Sequence, residues 1–346
     1  MSNYANYNWD DLMYSIEQNE AIVFLGPEIL TTHDQKGIYD ALFEQLAETR
    51  KEAILDFYPK EGLFLFKQEM HKGSYVRQIK QHFSAQQTPE MLSKLIEIPF
   101  HLYVNVAPDM LLKLLFEKHK LPHQFLFFSP TLPNTELEEV PKNNPLVYNI
   151  MGSFLQDESI VLSHDDLFLY LKAILGESGL PNFFKKQMKV SKDLIFIGFQ
   201  FNKWYMQLLL RILELDKGKF AFNRVAAAQD SITEIKELCL NQFQIRIIDT
   251  NVNSFIDELH LRCQKNSQIA LRTLDNAQKI EKVQNDVKLE QQELIKERLK
   301  RLLRLLSEYE LEHDLEKDPT QRMSYEMKIE NLKGKIEDAK TELNNL

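Results

Sequence analysis

Short apolar runs alternate with amphipathic segments over the first three quarters of the chain. The run Ala21–Leu25 ends at Gly26, which is the pattern of a buried strand that opens into a turn. Similar runs recur at 101–106, 145–151, 160–162, 194–199 and 245–248. Helical patterns lie between them at 38–51, 109–119, 165–175, 204–214 and 231–241. Because the strands of a parallel sheet are covered on both faces, this alternation predicts an α/β fold with a parallel sheet wrapped by helices.

The pattern changes after about residue 262. Residues 275–346 contain one proline, Pro319, one glycine, Gly334, and neither Phe nor Trp. Apolar residues recur every three or four positions among interleaved acids and bases, which predicts two helices broken near Pro319. Two such helices bury little apolar surface alone, so we expect them to contact a second copy or another protein. The chain is predicted to form an α/β domain at 1–265 and a charged α-helical hairpin at 266–346.

Composition narrows the function classes. The 346 residues carry a formal net charge of −9 and show no strong basic run, which argues against nucleic acid as a partner. The two cysteines, Cys239 and Cys263, are too far apart in sequence to resemble a zinc or disulfide pair, so no metal is expected. The first apolar run is too short to span a membrane. These features predict a cytoplasmic protein with reduced thiols.

The turn after the first predicted strand is the first candidate site. In doubly wound folds this turn lies at the carboxyl edge of the sheet, where a backbone can approach a pyrophosphate. Gly26 would permit that approach, and Pro27 and Glu28 follow it. Alone the signal is weak, because a strand that ends in glycine is often only a turn. The negative charge of Glu28 would weaken phosphate binding unless a cation offsets it.

Asn105 and Asp109 mark a second candidate at the end of another strand. Asp109 follows Pro108 at the start of a helical pattern, where capping of the helix is its simplest role. Asn105 has no comparable structural role, since a carboxamide at the carboxyl end of a strand points toward the ligand crevice.

Two further strand ends complete the candidate set. Gly152 and Ser153 follow the third strand, and Ser163 then begins a helix whose first turn holds His164 and two aspartates. The aspartates suit the helix dipole and are interpreted as structural, whereas His164 is either a polar loop residue or a general base. Gly198 and Phe199 end a fourth strand. The strand ends at 26, 105, 152 and 198 are expected to converge at a cleft large enough for a dinucleotide.

Taken in order, these segments resemble the SIR2-like family of bacterial antiphage defence proteins. The resemblance rests on Leu25-Gly26-Pro27-Glu28, on Asn105 with Asp109, on the VYNIMGS and SIVLSHDD segments at 147–153 and 159–166, and on FIGF at 196–199 leading to NKW at 202–204. It covers roughly residues 10–262 and implies a Rossmann-like SIR2-type fold. The C-terminal run is similar to helical effector-associated modules of bacterial conflict systems, with a simple oligomerising coiled coil as the alternative.

The resemblance implies attack on the N-glycosidic bond of NAD, which would be a substrate or a ligand. Cofactor contacts are expected from Gly26, Pro27, Glu28, Asn105, Asp109, Gly152, Ser153, Gly198 and Phe199. Asn105 matches the asparagine that orients water and ribose, but Met151 occupies the position of the usual catalytic histidine and accepts no proton. His164, His33 or a residue of another chain would then supply the base.

Three functions follow from the resemblance. The leading one is an effector that hydrolyses NAD when residues 275–346 assemble it with copies of itself or with another defence protein. The second is a catalytically inactive scaffold or nucleotide sensor, which Met151 favours. The third, a sirtuin-type deacylase, lacks the cysteines of the zinc module.

Overall fold

A computed structural model describes residues 7–32, 36–85, 88–176, 179–215, 223–228, 232–274, 280–315 and 319–344. The chain divides into two compact units, residues 1–276 and 277–346. The division lies about ten residues beyond the predicted boundary at 265. Arg272 accounts for the difference, because its guanidinium donates hydrogen bonds to the carbonyls of Ile96, Ile98 and Phe100 and so keeps this segment on the first unit.

The first unit is built on a seven-stranded parallel sheet, as the apolar pattern predicts. Its strands, in spatial order, are β5 (Gln124–Phe127), β6 (Leu146–Asn149), β4 (Leu102–Asn105), β1 (Ala21–Leu25), β7 (Asp193–Ile197), β8 (Asn223–Ala228) and β9 (Ile245–Asp249). All of the adjacent pairs are parallel. Strands β4 to β6 lie on one side of β1 and strands β7 to β9 on the other, so the strand order reverses beside β1. In doubly wound sheets ligands bind in the crevice at this kind of reversal.

Helices cover both faces of the sheet. Those of the first unit are α1 (Trp9–Glu17), α2 (Ile38–Thr49), α3 (Met70–Ala85), α4 (Glu90–Glu97), α5 (Leu111–Lys118), α6 (His164–Leu175), α7 (Asn182–Val190), α8 (Trp204–Ile212), α9 (Thr233–Phe243) and α10 (Val252–Lys265). Alternate residues of β1 enter different apolar clusters, Val23 and Leu25 on one face and Ile22 and Phe24 on the other. Every residue of β1 is buried, which explains its continuous apolar run.

Several elements depart from the predicted pattern, and two of them show why. The apolar run 160–162 forms no strand of the sheet; it runs alongside a separate antiparallel pair, β2 (Ile54–Tyr58) and β3 (Leu63–Phe66), where Phe64 donates a backbone hydrogen bond to the carbonyl of Leu162. Conversely, β8 was not predicted, because its sequence NRVAAA is rich in alanine, which is depleted in strands. Its apolar side chains are nonetheless buried between β7 and β9.

The second unit consists of two long helices, α11 (Ile280–Leu315) and α12 (Pro319–Asn344). The second begins at Pro319, where the sequence predicts the break. Ion pairs join Arg298 to Glu342 and Lys333 to Glu310, so the helices run antiparallel. The buried side chains along α12 include Leu332. Among the residues that the structure describes, no helix combines the length and the apolar character that crossing a membrane requires.

Candidate functional site

The turns that follow β1 and β7 pack directly against each other. Gly26 donates a backbone hydrogen bond to Ile197 (2.9 Å), and Glu28 donates one to Gly198 (3.0 Å). A Cβ atom at Gly26 would lie 2.1 Å from the Gly198 carbonyl oxygen. Gly198 has φ +64°, and a Cβ there would lie 2.2 Å from the amide nitrogen of Ile29. Each glycine therefore comes close to another part of the same chain. These contacts explain why glycine is needed at both positions without a bound pyrophosphate.

The turn after β6 is also occupied by internal contacts. Gly152 has φ +91°, and a Cβ there would lie 2.1 Å from the Ser159 carbonyl oxygen. The Ser159 hydroxyl accepts a hydrogen bond from the Ser153 amide at 2.9 Å. Ser153 is fully buried, and its own hydroxyl accepts from Leu155. These contacts hold the turn in shape, and neither Gly152 nor Ser153 lines the pocket described below.

Asn105 and Asp109 point into the protein and organise the start of α5. The Asn105 carboxamide oxygen accepts from the Ala107 amide at 3.1 Å. The Asp109 carboxylate accepts from the Leu111 amide and from the Tyr39 hydroxyl, both at 3.0 Å, and burial raises the pKa of this carboxyl. Asp109 therefore stabilises the first turn of α5, the role that its position in the sequence predicts. Asn105 does not line the pocket described below, whereas the next three residues, 106–108, do.

A pocket lies at the carboxyl edge of the sheet, beside the reversal of strand order. Its cavity volume is about 70 Å³. The lining residues are Pro27, Tyr39, Asp40, Phe43, Gly62, Leu63, Ile79, Val106, Ala107, Pro108, Met151, Phe154, Ile160, Val161, Leu162, Gln200, Lys203, Tyr205 and Met206. Most of these present apolar surface, and one corner is polar. In this conformation the cavity holds a small group but not the whole dinucleotide that the sequence leads us to expect.

The polar corner joins the start of α2 to the connection between β7 and α8. Asp40 accepts hydrogen bonds from Gln200 Nε2 at 2.9 Å and from Lys203 Nζ at 3.2 Å. The same Gln200 amide reaches Glu28 Oε1 at 3.3 Å. Burial raises the pKa of Glu28, and nearby Asp40 adds to this, whereas the Gln200 hydrogen bond and the charge of Lys203 oppose it. Lys203 is therefore a cation that partly offsets the negative charge of Glu28, as phosphate binding near this turn would require.

His164 does not line this pocket. The ring of His164 packs edge-on against Tyr58, with 4.8 Å between ring centroids. Ser163 caps α6, as predicted, and the structure adds a reciprocal hydrogen bond from Asp166, which also pairs with Lys72. His33 lies outside the residues that the structure describes. Met151 does line the pocket, so the residue at the expected histidine position is well placed but carries no base.

Of the predicted cofactor-binding residues, only Pro27 lines the pocket, whereas Phe199 is buried against Phe196 and Phe201. Sequence reasoning missed the polar corner. Asp40 appears in sequence as an ordinary acid in the first turn of a helix, which suits the dipole. Gln200 lies two residues beyond Gly198, in a connection where polar residues are unremarkable. The one available signal was position, because this connection follows a central strand at its carboxyl end.

Comparison with known proteins adds an independent finding. A family model described as the SIR2-like domain matches residues 106–248. No curated protein matches the chain. The matched segment runs from the end of β4 through β9 and includes the turns at Gly152 and Gly198 together with Gln200 and Lys203 of the pocket. Residues 106–248 of this chain thus match a SIR2-like domain, and the strand ends at Gly26 and Asn105 lie outside the matched segment.

Proposed function

We propose that the first unit binds NAD in this pocket and hydrolyses the bond between nicotinamide and ribose. The observation that carries the proposal is a pocket at the carboxyl edge of a SIR2-type sheet, beside the reversal of strand order, with apolar walls and one polar corner. Small-molecule sites commonly combine apolar walls with a few convergent polar groups. No membrane and no nucleic acid is part of the proposal.

The shape and chemistry of the pocket suit the nicotinamide riboside end of NAD. Phe43, Ile79 and Phe154 provide apolar surface for an aromatic ring, and Gln200 Oε1 provides an acceptor for a ribose hydroxyl. The remaining part of the dinucleotide requires the pocket to widen. We expect the loop between β2 and β3 to move, because it contributes Gly62 to the wall of the pocket. Opening would break the hydrogen bond from Tyr205 Oη of α8 to the Glu61 carbonyl (2.8 Å).

The direct test is to incubate the full chain with NAD and to measure nicotinamide and ADP-ribose by chromatography. Asn105→Ala serves as the variant, because the resemblance gives Asn105 the orientation of water and ribose. We expect turnover by the wild type and a loss of at least about 100-fold in the variant. Absence of products at every protein concentration would refute the hydrolase.

We further propose that the protein is an effector of an antiphage defence system and that residues 275–346 assemble it with copies of itself or with another protein of that system. Two long helices in which few of the described side chains are buried support this proposal. The test is the mass of the protein in solution with and without residues 275–346. We expect the full chain to have a multiple of the monomer mass and the truncated chain to have the monomer mass. The same state of assembly in both would contradict self-association through residues 275–346.

One observation favours a second candidate, a nucleotide sensor or scaffold without catalysis. Met151 lines the pocket, and no histidine lines it among the residues that the structure describes. Calorimetric titration with NAD and with ADP-ribose separates the possibilities when combined with the turnover assay. Binding without products supports a sensor, and no binding of either nucleotide supports a scaffold.

A further inference from the structure

The polar corner of the pocket is held together by residues far apart in the chain. Asp40 receives hydrogen bonds from Gln200 and Lys203, and Gln200 also reaches Glu28. Gln200 is 3 % exposed and Lys203 is 8 % exposed. The Asp40 carboxylate is therefore paired with the Lys203 ammonium and linked through Gln200 to Glu28, beside an otherwise apolar cavity. A charge in such surroundings acts over short distances more strongly than it would in water.

Gln200 shows that this corner is incomplete. Its amide nitrogen serves both carboxylates, but its buried Oε1 has no hydrogen-bond partner among the residues that the structure describes. Burial of a carbonyl oxygen without a donor is costly, so structures rarely keep one without reason. Gln200 lines the pocket, and a hydroxyl group or a water molecule bound there would supply the missing donor. This second observation points to a ligand at the corner.

Cleavage of NAD needs less acid–base chemistry than most glycosidic reactions. The bond between C1′ of the ribose and N1 of nicotinamide breaks, and its electron pair stays on the nitrogen, which turns the cationic pyridinium into neutral nicotinamide. No general acid is therefore needed. The ribosyl group becomes cationic, the oxygen of a water molecule bonds to C1′, and that water gives up one proton. A carboxylate is suited both to stabilising the cation and to accepting the proton.

On this basis we propose that Asp40 is the catalytic carboxylate of the pocket, which faces the ribosyl cation and accepts the proton of the attacking water. The inference rests on the proposed function, and it explains how the reaction proceeds with Met151 in place of a histidine. Gln200 and Lys203 are positioning residues, since they hold the two oxygens of Asp40 from opposite sides. The side chain of Asp40 keeps 26 % of its surface exposed, so one face remains open to a reactant.

The test uses the full chain and the Asp40→Asn variant, which preserves size and removes the charge. NAD turnover is followed by release of nicotinamide, and ADP-ribose binding is measured by calorimetry. We expect kcat to fall at least about 100-fold, while the Kd for ADP-ribose changes less than about threefold. Asp165→Asn is the matched control, because Asp165 is an exposed acid in the first turn of another helix. Its turnover should equal that of the wild type.

Three results would overturn the inference. Undiminished turnover in Asp40→Asn removes Asp40 from catalysis while leaving NAD hydrolysis in place. ADP-ribose binding by a wild type that releases no nicotinamide removes the catalytic role but keeps the nucleotide site. Failure of NAD and ADP-ribose to bind at all refutes the proposed function and this inference with it. If Asp40→Asn does not show cooperative thermal unfolding, Asp40→Ser is measured against the same criteria.

Discussion

Acidification should destabilise the first unit through His101. This residue directly precedes β4 and is 1 % exposed, and its Nε2 lies 3.1 Å from Gln187 Oε1. Burial lowers the pKa of the imidazole from 6.5 to about 4, nearby Lys142 adds to this, and the Gln187 hydrogen bond opposes it. The unfolded chain therefore takes up the proton first as the pH falls. The stabilisation is complete above pH 6.5 and is lost as the pH falls toward 4.

The size of the effect follows from the two pKa values. One pKa unit corresponds to about 1.4 kcal/mol, so protonation of His101 lowers the free energy of unfolding by about 3 kcal/mol at the acidic limit. Between pH 7 and pH 5 the loss is about 2 kcal/mol on the same basis. The side chain is almost completely buried, so solvent screening reduces this value little.

The assay compares urea unfolding of the wild type and His101→Gln at pH 7 and at pH 5. The variant keeps a donor for Gln187, so its loss of stability at pH 7 reports altered packing, which does not depend on pH. Buried carboxyl groups such as those of Glu28 and Asp109 have raised pKa values and act in the opposite direction, since their folded forms hold protons more tightly. Only the difference between the two proteins isolates His101. Identical pH dependence in both would refute the reasoning.

Three substitutions test other parts of the structure by urea or thermal unfolding. Gly198→Ala should cost about 3 kcal/mol or more, because it adds a Cβ 2.2 Å from the Ile29 amide nitrogen at φ +64°; a loss below about 1 kcal/mol would contradict the observed packing of the turns. Gly334→Ala is the matched opposite, since nothing lies within 4 Å of the added Cβ in α12, and it should stabilise the second unit by about 1 kcal/mol; any destabilisation would argue against a helix there. Arg272→Ala should lower the free energy of unfolding of the first unit by about 3 kcal/mol, because it leaves several backbone carbonyls without their donor; an unchanged urea midpoint would show that this segment is not fixed by Arg272.

The sequence by itself determined the central elements. β1 was predictable because all five of its residues are buried, and burial on both faces requires a continuous apolar run. The start of α6 was predictable because Ser163 is a favourable N-cap residue and acids follow it in the first turn, and the start of α12 because proline suits the first turn of a helix. Each of these signals is local, since it depends on a few neighbouring residues.

The site was decided by tertiary structure. The sequence identified the strand ends, and the fold brings those of β1 and β7 together, but there Gly26 and Gly198 contact each other. The polar corner joins Asp40 to Gln200 and Lys203 across about 160 positions of sequence. No periodicity or composition encodes such a contact, because it depends on which strands lie side by side in the sheet and on which connection turns toward β1. Local burial patterns therefore predict where the strands lie, and only their packing decides which side chains face the pocket.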